Sequence, residues 1–209
     1  MTTPQPIGFA AGDDAEELAR AEVYGLLAAL FYAPPSAELH AQFQVAVTEA
    51  PASGGFLERP WGELVAAARR LSHDDIAREY DRLFQGVGKP EIFLYGSFHI
   101  AGRLNEKPLV ALRHTLRALG IEKSGEVSET EDHIASLCEV MRYLIAGDDV
   151  ATANLATQRR FFEAHLRPWA GALLDAIEAH PEADFYALVA RFARGFFAVE
   201  QQAFELLDS

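Results

Sequence analysis

Apolar residues recur at three- and four-residue intervals along almost the whole chain. This spacing sets one face of an α-helix against a core, and it is the strongest constraint the sequence carries. From Asp13, read as an N-cap with Glu16 three residues on, the stripe runs Leu18, Val23, Leu26, Leu27, Leu30 and Phe31 and stops at Pro34-Pro35. Ser36 caps a short helix through Leu39, Phe43 and Val47. A loop, Ala52 to Gly55, leads to a helix carrying Trp61, Leu64, Val65 and Ala68, and Ser72 caps another with Ile76, Tyr80, Leu83 and Phe84 on one face. The spacing resumes through Leu109, Leu112, Leu116 and Leu119, with Gly120 at the position that ends a helix, and through Ile134, Leu137, Cys138, Met141, Leu144 and Ile145 up to Gly147. Leu155, Phe162 and Leu166 mark a further helix, Pro168 begins or kinks one with Trp169, Leu173, Leu174 and Ile177, and Phe185 to Phe204 mark the last. No strand pair, Asn-Gly or Asp-Gly hairpin, or repeat of fixed period interrupts the pattern. The expectation is an all-α protein of roughly nine or ten helices: a single compact, bundle-like domain over residues 15–209 behind a flexible N-terminal tail, residues 1–14.

Half of the 209 residues are apolar and 23% are charged, the balance of a soluble globular chain. Acidic residues outnumber basic ones by 31 to 18, a net charge of −13, which is the wrong sign for a nucleic-acid binder and points to basic partners. One cysteine, Cys138, excludes an internal disulfide, and it lies on the apolar stripe of its helix, where core packing explains it. The start of the sequence has no basic-then-apolar leader and no stretch suits a membrane span, so a cytoplasmic protein without membrane insertion is expected.

Catalytic patterns are sparse. No two of the seven histidines lie closer than fifteen residues, and no Glu is followed three residues later by His, so the helical zinc and di-iron signatures are missing. Gly86-Val87-Gly88-Lys89 resembles part of a phosphate loop, but Pro90 stands where a Ser or Thr must meet magnesium. The sequence implies neither a cofactor nor a metal of its own. An enzyme remains the alternative reading, either a nucleotide hydrolase using the Gly86–Lys89 loop or a metal-dependent activity at Glu129, Asp132 and His133.

Two clusters stand out. Gln85 to Gly102 reads as loop with a turn of helix, and it gathers Phe93, Leu94, Tyr95, Ser97, Phe98 and His99. The second, Glu129-Thr130-Glu131-Asp132-His133, follows the polar loop Glu122 to Ser128 and opens a helix. With Ser128 as cap and the helix begun by Glu129, residues 129, 132 and 133 share one face.

Taken in order, Glu79-Tyr80-Asp81-Arg82-Leu83-Phe84-Gln85-Gly86-Val87-Gly88, then Tyr95-Gly96-Ser97-Phe98, then Glu129 to His133 resemble the TorD/DmsD/NarJ family of molybdoenzyme maturation chaperones. The family pattern is an E-Y-x-x-L-F-like helix end, an aromatic-x-Ser-x-aromatic loop and an E-x-P-D-H motif. The likeness continues through Phe161-Phe162, His165-Leu166, Trp169, Phe185-Tyr186 and the segment Phe196 to Glu200. Glu131 departs from the family's Pro, and His99 stands where a second aromatic is expected.

The resemblance implies an all-helical, non-enzymatic, cytoplasmic chaperone. Its partner would be a molybdenum or tungsten oxidoreductase precursor, whose basic twin-arginine signal peptide it binds, delaying export and assisting cofactor insertion. The implied binding residues are Phe93, Tyr95, Ser97, Phe98, His99, Glu129, Asp132 and His133. Glu129 and Asp132 would hold guanidinium groups, and Phe93, Tyr95 and Phe98 would cover the apolar segment. A monomer and a helix-exchanging homodimer both stay open. Three expectations follow: Asp132→Ala and Tyr95→Ala weaken client binding while sparing the fold, His133 lies at the rim of a groove outside the apolar core, and binding responds to pH near neutrality.

Overall fold

The computed structural model describes residues 13–48, 57–86, 88–122, 129–149 and 151–206. In chain order the helices are α1 (Asp13–Tyr32), α2 (Ala37–Val45), α3 (Glu58–Arg70), α4 (His73–Tyr80), α5 (Gly96–Ala101), α6 (Lys107–Ala118), α7 (Ile134–Ala146), α8 (Leu155–Phe161), α9 (Arg167–Glu178) and α10 (Phe185–Leu206). Wider, π-type turns continue α4 through Asp81–Gln85 and α8 through Phe162–Leu166. The chain is all-α, as its periodicity requires, and among the described residues the extended pairing is confined to a single isolated bridge. No described helix is long and apolar enough to cross a membrane.

Local chemistry explains the helix ends. Ser36 Oγ accepts from the Leu39 N–H at 3.1 Å, and Ser72 with Asp75 forms a reciprocal capping box. Gly120 adopts φ 68°. Its N–H donates to the Arg117 carbonyl while that of Ile121 donates back to Leu116, the paired bonds that close a helix through a left-handed residue. The expected Ala52–Gly55 and Glu122–Ser128 loops fall wholly or mostly outside the described residues, as do residues 1–12.

The chain groups into two compact units. Of the described residues, those within 33–92 and 174–206 make up unit 1 and those within 13–32 and 93–173 make up unit 2. In unit 1, α10 packs on α3. Phe43, Trp61, Phe185 and Phe192 form a chain of tilted and edge-on rings 5.6 to 6.2 Å apart at its centre. In unit 2, α1 and α7 pack against each other. Their stripes bury Tyr24, Leu27, Leu30 and Phe31 on one helix and Leu137, Cys138, Met141 and Leu144 on the other. Burial pushes the Cys138 thiol up, away from the reactive thiolate, as its place on the stripe implies. Gln158, 1% exposed, ties unit 2 together by accepting from Arg20 and donating to the Leu144 carbonyl.

Candidate functional site

Both sequence clusters lie in unit 2, and backbone pairing brings them together. Tyr95 and His133 form an isolated antiparallel bridge: the Gly96 N–H donates to the Asp132 carbonyl and the Ile134 N–H to the Leu94 carbonyl, each at 2.9 Å. This pairing corrects the expected helix start. α7 begins at Ile134 rather than Glu129, because residue 133 is held extended (φ −65°, ψ 137°) by its bridge to Tyr95. His133 is itself the N-cap, its Nδ1 accepting from the Ala135 N–H at 3.2 Å. Glu129, Asp132 and His133 therefore lie on a non-helical segment ahead of α7 instead of along one helix face. The expected cap Ser128 lies outside the described residues.

The bridge delivers Asp132 to the start of α5. Its Oδ2 accepts from the Ser97 N–H at 2.8 Å and its Oδ1 from the Thr130 hydroxyl at 2.7 Å. Tyr95, at the N-cap position of α5, makes no side-chain cap, so a carboxylate from a distant segment satisfies an N–H that the helix leaves open. Asp132 is 3% exposed and Ser97 fully buried. The expectation that Asp132→Ala spares the fold is accordingly revised: this carboxylate holds two segments in register. The Ser97 hydroxyl is buried without a hydrogen-bond partner. Gly96 is needed for close approach, since a Cβ there would sit 2.9 Å from the Trp169 ring.

Around this buried knot lies a half-exposed layer. Phe93 and Phe98 stack at 4.2 Å, and His99 stacks on Trp169 at 5.6 Å while its Nε2 donates to the Phe93 carbonyl. Burial lowers the His99 pKa, partly offset by that hydrogen bond. The Tyr95 hydroxyl donates to Glu129, and the Tyr95 ring stands edge-on to His133 at 5.0 Å. Phe93, Tyr95, Phe98, His99 and Glu129 are each partly exposed.

His133 departs from expectation. It is 3% exposed, and burial pushes its pKa down to about 4 against the pull of Glu129 and Asp132. The ring is neutral across the physiological range, so the expected pH response near neutrality does not come from it, and it lies inside the knot rather than at a rim.

Three participants were not among the expected binding residues. Trp169 backs α5 and donates its indole N–H to the His165 carbonyl at 2.6 Å. His165 Nε2 lies 2.9 Å from the Thr115 hydroxyl. Arg113 of α6 makes a two-pronged pair with Glu131, Nε to Oε1 at 3.0 Å and Nη2 to Oε2 at 2.8 Å. A long-range arginine partner has no local sequence signal; Trp169 was visible as a helix-stripe residue and in the family likeness, and His165 in that likeness alone.

The alternative catalytic readings find no support in this geometry. Gly86 (φ 63°) ends the turn after α4, its N–H donating to the Asp81 carbonyl, so the Gly86–Lys89 loop follows the C-terminal end of a helix, the wrong pole for a phosphate. Asp132 and His133 turn their lone pairs inward to N–H and O–H donors.

The model of the nitrate reductase delta subunit family matches residues 55–175, more than half of the chain and all of the site. This chain belongs to that family. Its members include the TorD/NarJ-type chaperones, and the curated relatives agree. A protein named Chaperone protein TorD from Vibrio cholerae serotype O1, El Tor Inaba, is 26% identical over 204 residues, covering 90% of this chain and 93% of that protein. Its counterparts in two further O1 strains of the species are 27% identical with the same coverage. The TorD/NarJ-family chain described here is thus a non-enzymatic maturation chaperone of the molybdoenzyme class.

Proposed function

We propose that this chaperone acts in the cytoplasm on an oxidoreductase precursor, binding its twin-arginine signal peptide at the aromatic and acidic layer of unit 2, and so delays export while the cofactor is inserted. The carrying observation is the half-exposed shelf of Phe93, Tyr95 and Phe98 with Glu129 set against the Tyr95 hydroxyl. Aromatic faces suit the apolar run of such a peptide, and a carboxylate at their edge suits a guanidinium fork. The net charge of −13 adds a long-range attraction for a basic segment. In this reading Glu129 contacts the client, whereas Ser97, Asp132 and His133 hold the contact residues in place.

Titration of the full chain with a synthetic peptide carrying an Arg-Arg pair before an apolar run tests the proposal. Binding should weaken as salt rises, and a Lys-Lys peptide should bind less tightly, because lysine keeps the charge but loses the planar fork. Equal binding of Arg-Arg, Lys-Lys and scrambled peptides at every salt concentration would refute it.

A further inference from the structure

Phe93, Tyr95 and Phe98 offer a client the faces of their rings, whereas His99 also offers a nitrogen lone pair. Its Nε2 lies 2.7 Å from the Phe93 carbonyl. A carbonyl only accepts, so Nε2 carries the hydrogen, and in the neutral imidazole the other nitrogen, Nδ1, is then an acceptor. Burial holds the His99 pKa below the ordinary imidazole value, opposed by that hydrogen bond, and at about pH 8 the neutral form prevails. Three contacts fix the ring. One face stacks on Trp169, which is 2% exposed and is itself tied to the His165 carbonyl. The Phe98 ring stands edge-on at 5.6 Å, and the Nε2–H bond ties His99 to Phe93, whose ring stacks on Phe98. Nδ1 meets no donor among the described residues. The side-chain polar atoms that those residues seal from solvent without a partner are the Ser97 and Tyr186 hydroxyls; Nδ1 is not one of them, so its lone pair reaches solvent from the partly exposed ring.

We infer that His99 is a specificity residue of the client site: its Nδ1 accepts one hydrogen bond from an uncharged donor, a side-chain hydroxyl or a main-chain N–H, carried within the client's apolar run. The inference rests on the peptide-binding reading above and deepens it. The surroundings favour an uncharged donor, because the imidazole lies among Phe93, Phe98 and Trp169. A phenyl ring at position 99 would cover Trp169 as well but accept nothing through its edge. Histidine in place of the family's aromatic thus adds a polar requirement to an apolar surface. A donor that reaches Nδ1 replaces the water it displaces, whereas an apolar group in the same place strips the nitrogen of water and returns no hydrogen bond. The site therefore prefers a run interrupted by one well-placed donor to a run that is apolar throughout.

The test uses the full chain and synthetic peptides that carry an Arg-Arg pair and an apolar run. A threonine is placed at each position of the run in turn and compared with valine, which matches its shape; ester links that replace single amides do the same for the main-chain N–H groups. The imidazole nitrogen resonances of His99 are followed by NMR at about pH 8 as each peptide is added. One threonine or one amide should bind about fivefold tighter than its valine or ester counterpart, the size of one neutral hydrogen bond. That peptide should also move the Nδ1 resonance upfield, the signature of an acceptor nitrogen taking a hydrogen bond. A threonine effect assigns the donor to a hydroxyl, an ester effect to the main chain. His99→Phe should bind both members of the pair and erase the difference between them. If the peptides bind but the Nδ1 resonance stays in place and every pair binds alike, the peptide reading stands and this inference falls. If His99→Phe weakens both members equally and leaves their ratio intact, the ring only supports the shelf and the inference again falls. Should that variant not fold, the Nδ1 resonance of the unsubstituted protein decides. If the unsubstituted protein binds none of the peptides, the functional reading fails and takes this inference with it.

Discussion

Each compact unit contains a buried carboxylate that caps a helix from a distant place in the chain, and the two are used differently. In unit 1, Glu79 at the end of α4 accepts three N–H groups at the start of α10, from Asp184, Phe185 and Tyr186, at 2.8 to 3.0 Å. In unit 2, Asp132 accepts one N–H at the start of α5 and one hydroxyl. Glu79 supports a helix of 22 residues, Asp132 one of six. Tyr80, Phe84, Phe185 and Tyr186 close around the Glu79 corner and are all buried, so that corner has nothing to offer a partner. Phe93, Tyr95, Phe98 and His99 surround the Asp132 corner and stay partly exposed. A satisfied buried carboxylate is thus a fastening in both places; what distinguishes a site from a fold corner is whether the aromatic layer above it is left open.

If the two carboxylates are fastenings, both should cost stability when removed, and the larger helix should cost more. Glu79→Ala orphans three N–H groups in a buried corner and should destabilise by about 3–5 kcal/mol, read by urea unfolding. Asp132→Ala orphans one N–H and one hydroxyl and should cost about 2 kcal/mol by the same measurement. The reverse order, or an unchanged midpoint for Asp132→Ala, would break the parallel.

A third prediction separates the units by pH. His133 of unit 2 has its folded pKa near 4, below the unfolded value of about 6.5. The unfolded chain takes up a proton first, so the stability that neutral His133 contributes is intact above pH 6.5 and lost as pH falls from there towards 4. The loss approaches roughly 3 kcal/mol for the full shift. Asparagine in place of His133 keeps an acceptor for the Ala135 N–H but cannot titrate, so His133→Asn should show a flatter stability profile in that window. At Glu79 the direction differs: burial raises its carboxyl pKa, opposed by its three N–H donors. A carboxyl raised above its unfolded value favours the folded state at lower pH, so its contribution cannot account for acid loss there.

The smallest expected effect is the most specific to function. Tyr95→Phe removes the hydroxyl that donates to Glu129 and should cost no more than about 1 kcal/mol of stability. It should still weaken binding of the Arg-Arg peptide several-fold, because Glu129 loses the partner that aims it.

The helices were legible because their signal is local. Stripes such as Leu137, Cys138, Met141 and Leu144, and caps such as Ser36, Ser72 and Gly120, need only neighbours three or four residues away. Both site clusters were also visible, by their residue types and their order along the chain. What joins them was not. The start of α7 at Ile134 depends on Leu94 and Gly96, some forty residues earlier, and the partner of Glu131 lies on another helix. Glu79 did carry an unused signal: it sits on the apolar face of α4 with Ile76, Tyr80 and Leu83, and a charged residue on a buried face demands partners. His133 was misplaced for the same reason as the helix start, since a residue read as flanking an apolar stripe is buried by a segment from elsewhere.

Amide hydrogen exchange of the full chain with and without the Arg-Arg peptide tests the central claim directly, since it compares the two corners in one sample. The account predicts slowed exchange at residues 93–101 and 129–135, with no change at 79–86 and 184–188 beyond experimental error. Slowing confined to the Glu79 corner, or no slowing anywhere at saturating peptide, would contradict it.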